Sequence, residues 1–141
     1  LSRAWDTALI CAEGRGVPVE RDPALREQDM GALEDLTWAQ AEKLCGGLVG
    51  HLLADWFHTT PPAGESPARM LERVGACVDG IAARGEDTLV AAHNGSLSLV
   101  LFHLGLMEER NLLQHGWFFK HGTYSAVRLD GTGAELVCFN R

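Results

Sequence analysis

At 141 residues the chain has the length of one domain with a real core, and 46% hydrophobic against 22% charged residues exclude a disordered polymer. A net charge of −7 argues against a nucleic-acid or anionic-membrane surface, since both want a basic stripe, but leaves room for a small anionic ligand held by one or two arginines. The longest apolar stretch, Ser96 to Met107, is broken by Ser98 and His103 and is too short to span a bilayer. With no signal-peptide pattern in view, a cytoplasmic location is expected. Cys11, Cys45, Cys77 and Cys138 lie far apart without a CxxC, so they read as small buried thiols in a reducing compartment, not as a disulfide framework or zinc site.

Along the chain, residues 2–13 carry Ala4, Ala8, Cys11 and Ala12 at helical spacing, and Gly14 and Gly16 end the pattern. "VPVERD" (17–22) reads as a short strand and 25–36 as a loop without a clean period. Thr37 with Gln40 forms a capping box that predicts a helix to about Leu44. "DWFHTTPPAGES" (55–66) is a loop. Ser66 followed by Pro67 then predicts a helix start, with Met70, Val74, Cys77, Val78 and Ile81 as its apolar stripe and Arg84-Gly85 as its end.

"TLVAA" (88–92) has the all-apolar look of a strand buried on both faces. His93-Asn94-Gly95 is the turn into a mostly buried helix over 96–106. "YSAVRL" and "ELVCF" are strands of a late hairpin around "DGTG". There is no internal repeat. This alternation implies α/β architecture with a mainly parallel sheet and an antiparallel edge. In such sheets ligands sit beyond the carboxyl ends of the strands, which points to His93 beside the free N–H groups of a helix start, a ready cradle for an anion.

Three polar residues stand out, each with an ordinary reading of its own. Arg3 could pair with Asp6, Glu27 could be a solvated carboxylate, and His93 a satisfied core histidine. Their surroundings give them a common meaning. "LSRAWDTA", "LREQDMGALEDLT", "PAGES" before a helix with Arg73, and "LVAAHNGSLSLVL" resemble, in the same order, four segments of the histidine phosphatase superfamily, the phosphoglycerate mutase-like proteins.

The resemblance implies a single phosphoglycerate mutase-like domain over residues 1–141, three-layer α/β/α, that transfers a phosphoryl group through a phosphohistidine. On this chain Arg3 would clamp phosphate, Glu27 would be general acid and then base, and His93 would be the second histidine, with the Asn94 N–H beside it. No metal or cofactor is implied. The expected partner is a small phosphorylated substrate, with no nucleic acid, no membrane and a possible homodimer.

The family's nucleophile lies in an Arg-His-Gly motif at the end of its first strand. That motif is expected upstream of Leu1, making the domain N-terminally incomplete over these residues. Asn94 stands where the family commonly has Gly, and Glu34-Asp35 where it has Glu-Gly. The His-Gly pairs at His115 and His121 read as loop near the site mouth, His51 and His58 as lid or substrate-side residues, and His103 as a core histidine. Trp38, Trp56 and Phe57 are compatible with bulky esters or with plain core.

The short insert before "PAGES" favours a small phosphatase. The alternatives are a non-catalytic phosphate-binding pseudoenzyme or scaffold, and a phosphoglycerate mutase. A generic nucleotide-binding domain is disfavoured because neither GxGxxG nor a P-loop occurs.

Overall fold

The computed structural model describes residues 1–113 and 116–141. Among them run α1 (Ser2–Ala12), α2 (Trp38–Cys45), α3 (Leu48–Ala54), α4 (Pro67–Arg84), α5 (Asn94–His103), β1 (Ala126–Asp130) and β2 (Gly133–Cys138). Short 3-10 turns at Pro23–Leu25, Gly31–Leu33 and Glu109–Asn111 shape the connections.

The best-marked helices start where their caps predict. Ser66 Oγ accepts the Arg69 N–H at 3.2 Å, Pro67 opens α4, and Gly85 closes it at φ 63, a left-handed conformation glycine adopts without cost. At α2 Thr37 Oγ1 accepts the Gln40 N–H at 3.3 Å and the Gln40 side chain accepts the Thr37 N–H at 2.9 Å. The sequence reading missed α3. It is seven residues with Gly50 inside, entered from a left-handed Gly47, and it forms because Val49 and Leu52 bury against Leu33 and Ala41.

The main core lies between α4 and α5. Met70, Val74 and Val78 from one face of α4 pack on Leu99 and Leu101 of α5, and Met107 and Leu112 close the cluster. Each such side chain contributes about 1.5–3 kcal/mol through burial. The predicted stripe of α4 is correct in phase, although Cys77 and Ile81 are only half-buried at its margin. Gly75 lets the two helices interlock at the far end: a Cβ there would stand 2.7 Å from Nδ1 of His103, whose Nε2 meets Asp79 Oδ1 at 2.8 Å. His103 is therefore an exposed, carboxylate-paired residue at the end of α5, not the core histidine expected.

β1 and β2 form the expected antiparallel hairpin, with Val127 opposite Leu136 and Leu129 opposite Ala134, and Tyr124 and Arg141 exchange both main-chain bonds at 3.0 Å. The stretches 17–22 and 88–92 are not strands here. An extended segment becomes a strand only by pairing, and neither pairs with another segment among the described residues: the one main-chain bond is local, from the Leu25 N–H to the Asp22 carbonyl at 3.2 Å. The expected burial of 88–92 on both faces fails for the same reason: Leu89 is 70% exposed. The only ladder among the described residues is thus antiparallel, and no parallel pairing or three-layer arrangement forms within them.

Helix α1 buries none of its residues, and Ile10 is 71% exposed. All four cysteines are free, as expected, but they are not buried: Cys11 is exposed and the others are half-buried. Cys77 donates its S–H to Asp22 Oδ2 at 3.2 Å, and burial together with that carboxylate pushes its thiol up to about 11. No helix of the described residues is long and apolar enough to cross a membrane.

Candidate active site

His93 is the N-cap of α5, in extended conformation (φ −126, ψ 163), and is buried. Ser96 fixes it from both sides: its Oγ accepts the His93 N–H at 3.1 Å and donates to the His93 carbonyl at 3.1 Å. The Leu97 N–H closes the first helical turn on that same carbonyl at 2.8 Å. Burial, and then the positive charge of Arg3, hold the imidazole below its ordinary value, with Glu27 pulling the other way. The ring is therefore neutral at pH 7, with one N–H to donate and one lone pair.

Both expected partners act on this histidine through their charges. Glu27 lies in the irregular segment after the Pro23–Leu25 turn. Its Oε2 accepts the Gly95 N–H at 3.2 Å, on the free end of α5, and its Oε1 accepts the Gln28 N–H at 3.2 Å. Arg3 stands in the first turn of α1, where Thr7 Oγ1 donates to its carbonyl at 2.8 Å. The alternative pairing of Arg3 with Asp6 does not occur, and no carboxylate among the described residues forms an ion pair with Arg3. A cation, a carboxylate and a neutral imidazole thus share the start of α5, an arrangement suited to holding a phosphoryl group and moving a proton beside it.

Gly95 is a site residue that the sequence reading passed over. A Cβ at position 95 would collide with Glu27 Oε1, so only glycine lets this carboxylate lie on the helix end. Gln28 was missed as well. It is buried, donates from Nε2 to the Glu65 carbonyl at 2.8 Å, and accepts the Trp56 indole N–H at 2.7 Å. Only its place next to Glu27 hinted at this.

Asn94 uses its side chain differently from a phosphate ligand. Its Oδ1 accepts the Phe119 N–H at 2.9 Å and ties the 117–121 loop to α5, while the role expected of Asn94 falls to its backbone N–H. The Glu34-Asp35 departure also has a structural reading. Asp35 sits at φ 60, the conformation a glycine would take there, and Glu34 Oε1 accepts the Met30 N–H at 2.7 Å.

The remaining aromatic and histidine expectations divide. Trp56 and Phe57 pack on the main core, with Phe57 5.4 Å from Phe102, and do not form a free cover; Trp38 is exposed, not core. His58 is held between Asp55 at 2.9 Å and Glu109 at 3.6 Å, and the Asp55 contact raises it above its ordinary value. His51 and His121 are exposed, and His115 lies outside the described residues.

A family model described as the histidine phosphatase superfamily (branch 1) matches residues 1–141. The chain is 36% identical over 104 residues to a bifunctional protein of Mycobacterium tuberculosis, covering 74% of this chain and 26% of that protein. It is 31% identical over 149 residues to the adenosylcobalamin/alpha-ribazole phosphatase of Salmonella typhimurium, covering 99% of this chain and 69% of the relative. A 2,3-bisphosphoglycerate-dependent phosphoglycerate mutase of Afipia carboxidovorans is 33% identical over 81% of this chain and 58% of its own length. The chain therefore spans about a quarter of the mycobacterial protein and over half of the mutase.

Among solved structures, the alpha-ribazole phosphatase of Shigella flexneri superposes with a TM-score of 0.86 at 25% identity, over 100% of this chain and 70% of that one. A mycobacterial glucosyl-3-phosphoglycerate phosphatase superposes at 0.79 and 23% identity, over 98% of this chain and 72% of its own. The described residues thus have an α/β fold of the kind these phosphatases share.

Proposed function

The chain belongs to the histidine phosphatase superfamily, branch 1, and from that premise we propose that it is a phosphatase of small phosphate monoesters working through a phosphohistidine. The observation that carries this reading is the meeting of Arg3, Glu27 and His93 at the start of α5, where one cation and one carboxylate act on a buried neutral imidazole.

In this reading Arg3, forked and permanently charged, holds two equatorial phosphoryl oxygens, and His93 donates its single N–H to a third. The Asn94 backbone N–H at the helix end adds a further donor. The nucleophile is a histidine from an Arg-His-Gly segment outside residues 1–141, as the resemblance implies. Its ring nitrogen forms a P–N bond while the P–O bond to the alcohol breaks, and Glu27, which enters this step as the protonated carboxylic acid, gives its proton to the departing oxygen. Glu27 then takes a proton from water, whose oxygen attacks phosphorus, breaks the P–N bond and releases phosphate. Positioning and charge stabilisation carry most of the rate enhancement, and no metal or cofactor enters.

In the full-length protein we expect segments 17–22 and 88–92, unpaired among the described residues, to join a mainly parallel sheet. A phosphatase is favoured over a mutase because the Salmonella phosphatase aligns with 99% of this chain and the insert before Gly64 is short.

The test is release of inorganic phosphate by the full-length protein from p-nitrophenyl phosphate and alpha-ribazole phosphate. Arg3→Ala and His93→Ala are each expected to lower kcat/KM about 100-fold or more. Quenching turnover in alkaline detergent should trap a phosphoprotein that is stable in alkali and labile in acid. Undiminished hydrolysis in both variants would overturn the reading. Phosphate binding without turnover would move the pseudoenzyme to first place, and interconversion of phosphoglycerates would do the same for the mutase.

A further inference from the structure

Glu27 is held from behind by a half-buried ion pair. Arg73, on α4, is 16% exposed and Glu65, just before that helix, 11%. Arg73 Nε donates to Glu65 Oε1 at 2.7 Å and Nη2 to Oε2 at 2.6 Å, a two-pronged pair that keeps the Glu65 carboxyl below its ordinary range. The guanidinium's other donors all point at the segment that carries Glu27. Nη1 donates to the Ala24 carbonyl and, at 2.9 Å, to that of Arg26, while Nη2 donates to the Glu27 carbonyl at 3.3 Å. Five donors meet five acceptors, so nothing on the fork is left over. Glu65 grips the next residues through its main chain: its N–H donates to the Asp29 carbonyl at 2.8 Å, and its carbonyl accepts Gln28 Nε2 at 2.8 Å.

The connections close a triangle. Arg73 fixes the Glu27 backbone to α4. The Glu27 carboxylate reaches the first N–H groups of α5 through Gly95. The two helices are themselves locked by Met70, Val74 and Val78 against Leu99 and Leu101. The backbone that carries the carboxylate is thus fixed to the helix that packs on α5, and the carboxylate itself is tied to the start of α5 by the Gly95 N–H.

We propose that Arg73, supported by Glu65, is a positioning residue that sets where the Glu27 carboxylate stands relative to His93. This rests on the role proposed above for Glu27 as the proton donor to the leaving oxygen. Lysine cannot take the place of Arg73, because an ammonium lacks the planar fork that reaches Glu65 and three carbonyls together.

The test uses the full-length protein with Arg73→Lys, Arg73→Met, Glu27→Gln and the double variant Glu27→Gln/Arg73→Lys. Phenyl phosphate needs a proton on its departing oxygen, whereas p-nitrophenyl phosphate needs it far less. Arg73→Lys should lower kcat/KM for phenyl phosphate about tenfold or more and for p-nitrophenyl phosphate only about two- to threefold. In the Glu27→Gln background it should add no further loss, since its effect runs through Glu27. Amide hydrogen exchange should quicken about tenfold at residues 24–28 and at Gly95, with residues 78–84 of α4 unchanged.

Equal losses on the two esters, additive losses in the double variant, or unaltered exchange at 24–28 and Gly95 would each overturn the proposal. If Arg73→Met fails to fold, Arg73→Lys, which keeps the charge, decides alone. Should the wild-type protein hydrolyse neither ester, the proposed function falls, and exchange at 24–28 and Gly95 in Arg73→Lys still decides whether Arg73 holds the Glu27 loop.

Discussion

Glu27 and Gly95 touch across 68 positions of sequence: the Gly95 N–H donates to Oε2 at 3.2 Å, and Oε1 fills the space a Cβ at residue 95 would need. The glycine serves space and not backbone freedom, since its φ lies outside the left-handed region. Gly95→Ala should therefore push the carboxylate off the helix end. The obstructing atom is the tip of a flexible side chain, so the displacement is cheap. The alanine also favours the helix by about 0.5–1 kcal/mol. The expected result is an unchanged or slightly raised Tm with a roughly ten- to hundredfold lower kcat on phenyl phosphate. A lowered Tm with full activity would show that the contact is structural only.

Two loop positions give opposite predictions for stability. Gly31 has φ 54, and a Cβ there would collide with the backbone of Pro62 and Gly64. These segments are bonded through Ala32 N–H to the Pro62 carbonyl at 2.9 Å and Glu65 N–H to the Asp29 carbonyl at 2.8 Å. Backbone cannot swing aside as a side chain can, so Gly31→Ala should cost at least about 2 kcal/mol. Asp35, at φ 60, is the converse case: Asp35→Gly relieves a left-handed conformation and should gain up to about 1 kcal/mol. Urea midpoints of the two variants should move in opposite directions from wild type, with unchanged slopes.

What could be read from the sequence were features whose signals are local. Thr37 with Gln40 and Ser66 with Pro67 announce α2 and α4, Gly85 announces the end of α4, and "DGTG" announces the hairpin turn. Helix α3 had no such signal, because it depends on Val49 and Leu52 finding Leu33 and Ala41. Residues 17–22 and 88–92 have the β-branched and apolar composition of strands, but pairing is a property of two segments and cannot be read from one.

The site divides in the same way. His93, Glu27 and Arg3 stand out by type and neighbourhood. Gly95, Gln28 and Glu65 acquire meaning only from residues distant in sequence, such as Trp56 on Gln28 and Arg73 on Glu65. The Cys11 thiol, expected inside, lies on a helix that buries nothing among the described residues, and spacing alone could not reveal that.

Two histidines should titrate on opposite sides of the ordinary value of 6.5. His93 is held below it by burial and Arg3, so its neutral form belongs to the folded state. Between the folded and unfolded values the unfolded chain binds more protons, and stability from His93 is complete above 6.5 and declines as pH falls below it. His58 is raised by Asp55, so its contribution is complete below 6.5 and is lost as pH rises through its folded value. Being exposed, His58 should move Tm little. NMR titration of the imidazole Cε1–H signals should therefore give a midpoint below 6.5 for His93 and above 6.5 for His58. His93→Gln should flatten the fall of Tm on the acid side, and His58→Gln should leave that limb as it is. A His93 midpoint at or above 6.5 would mean that Glu27 outweighs burial and Arg3 at this site.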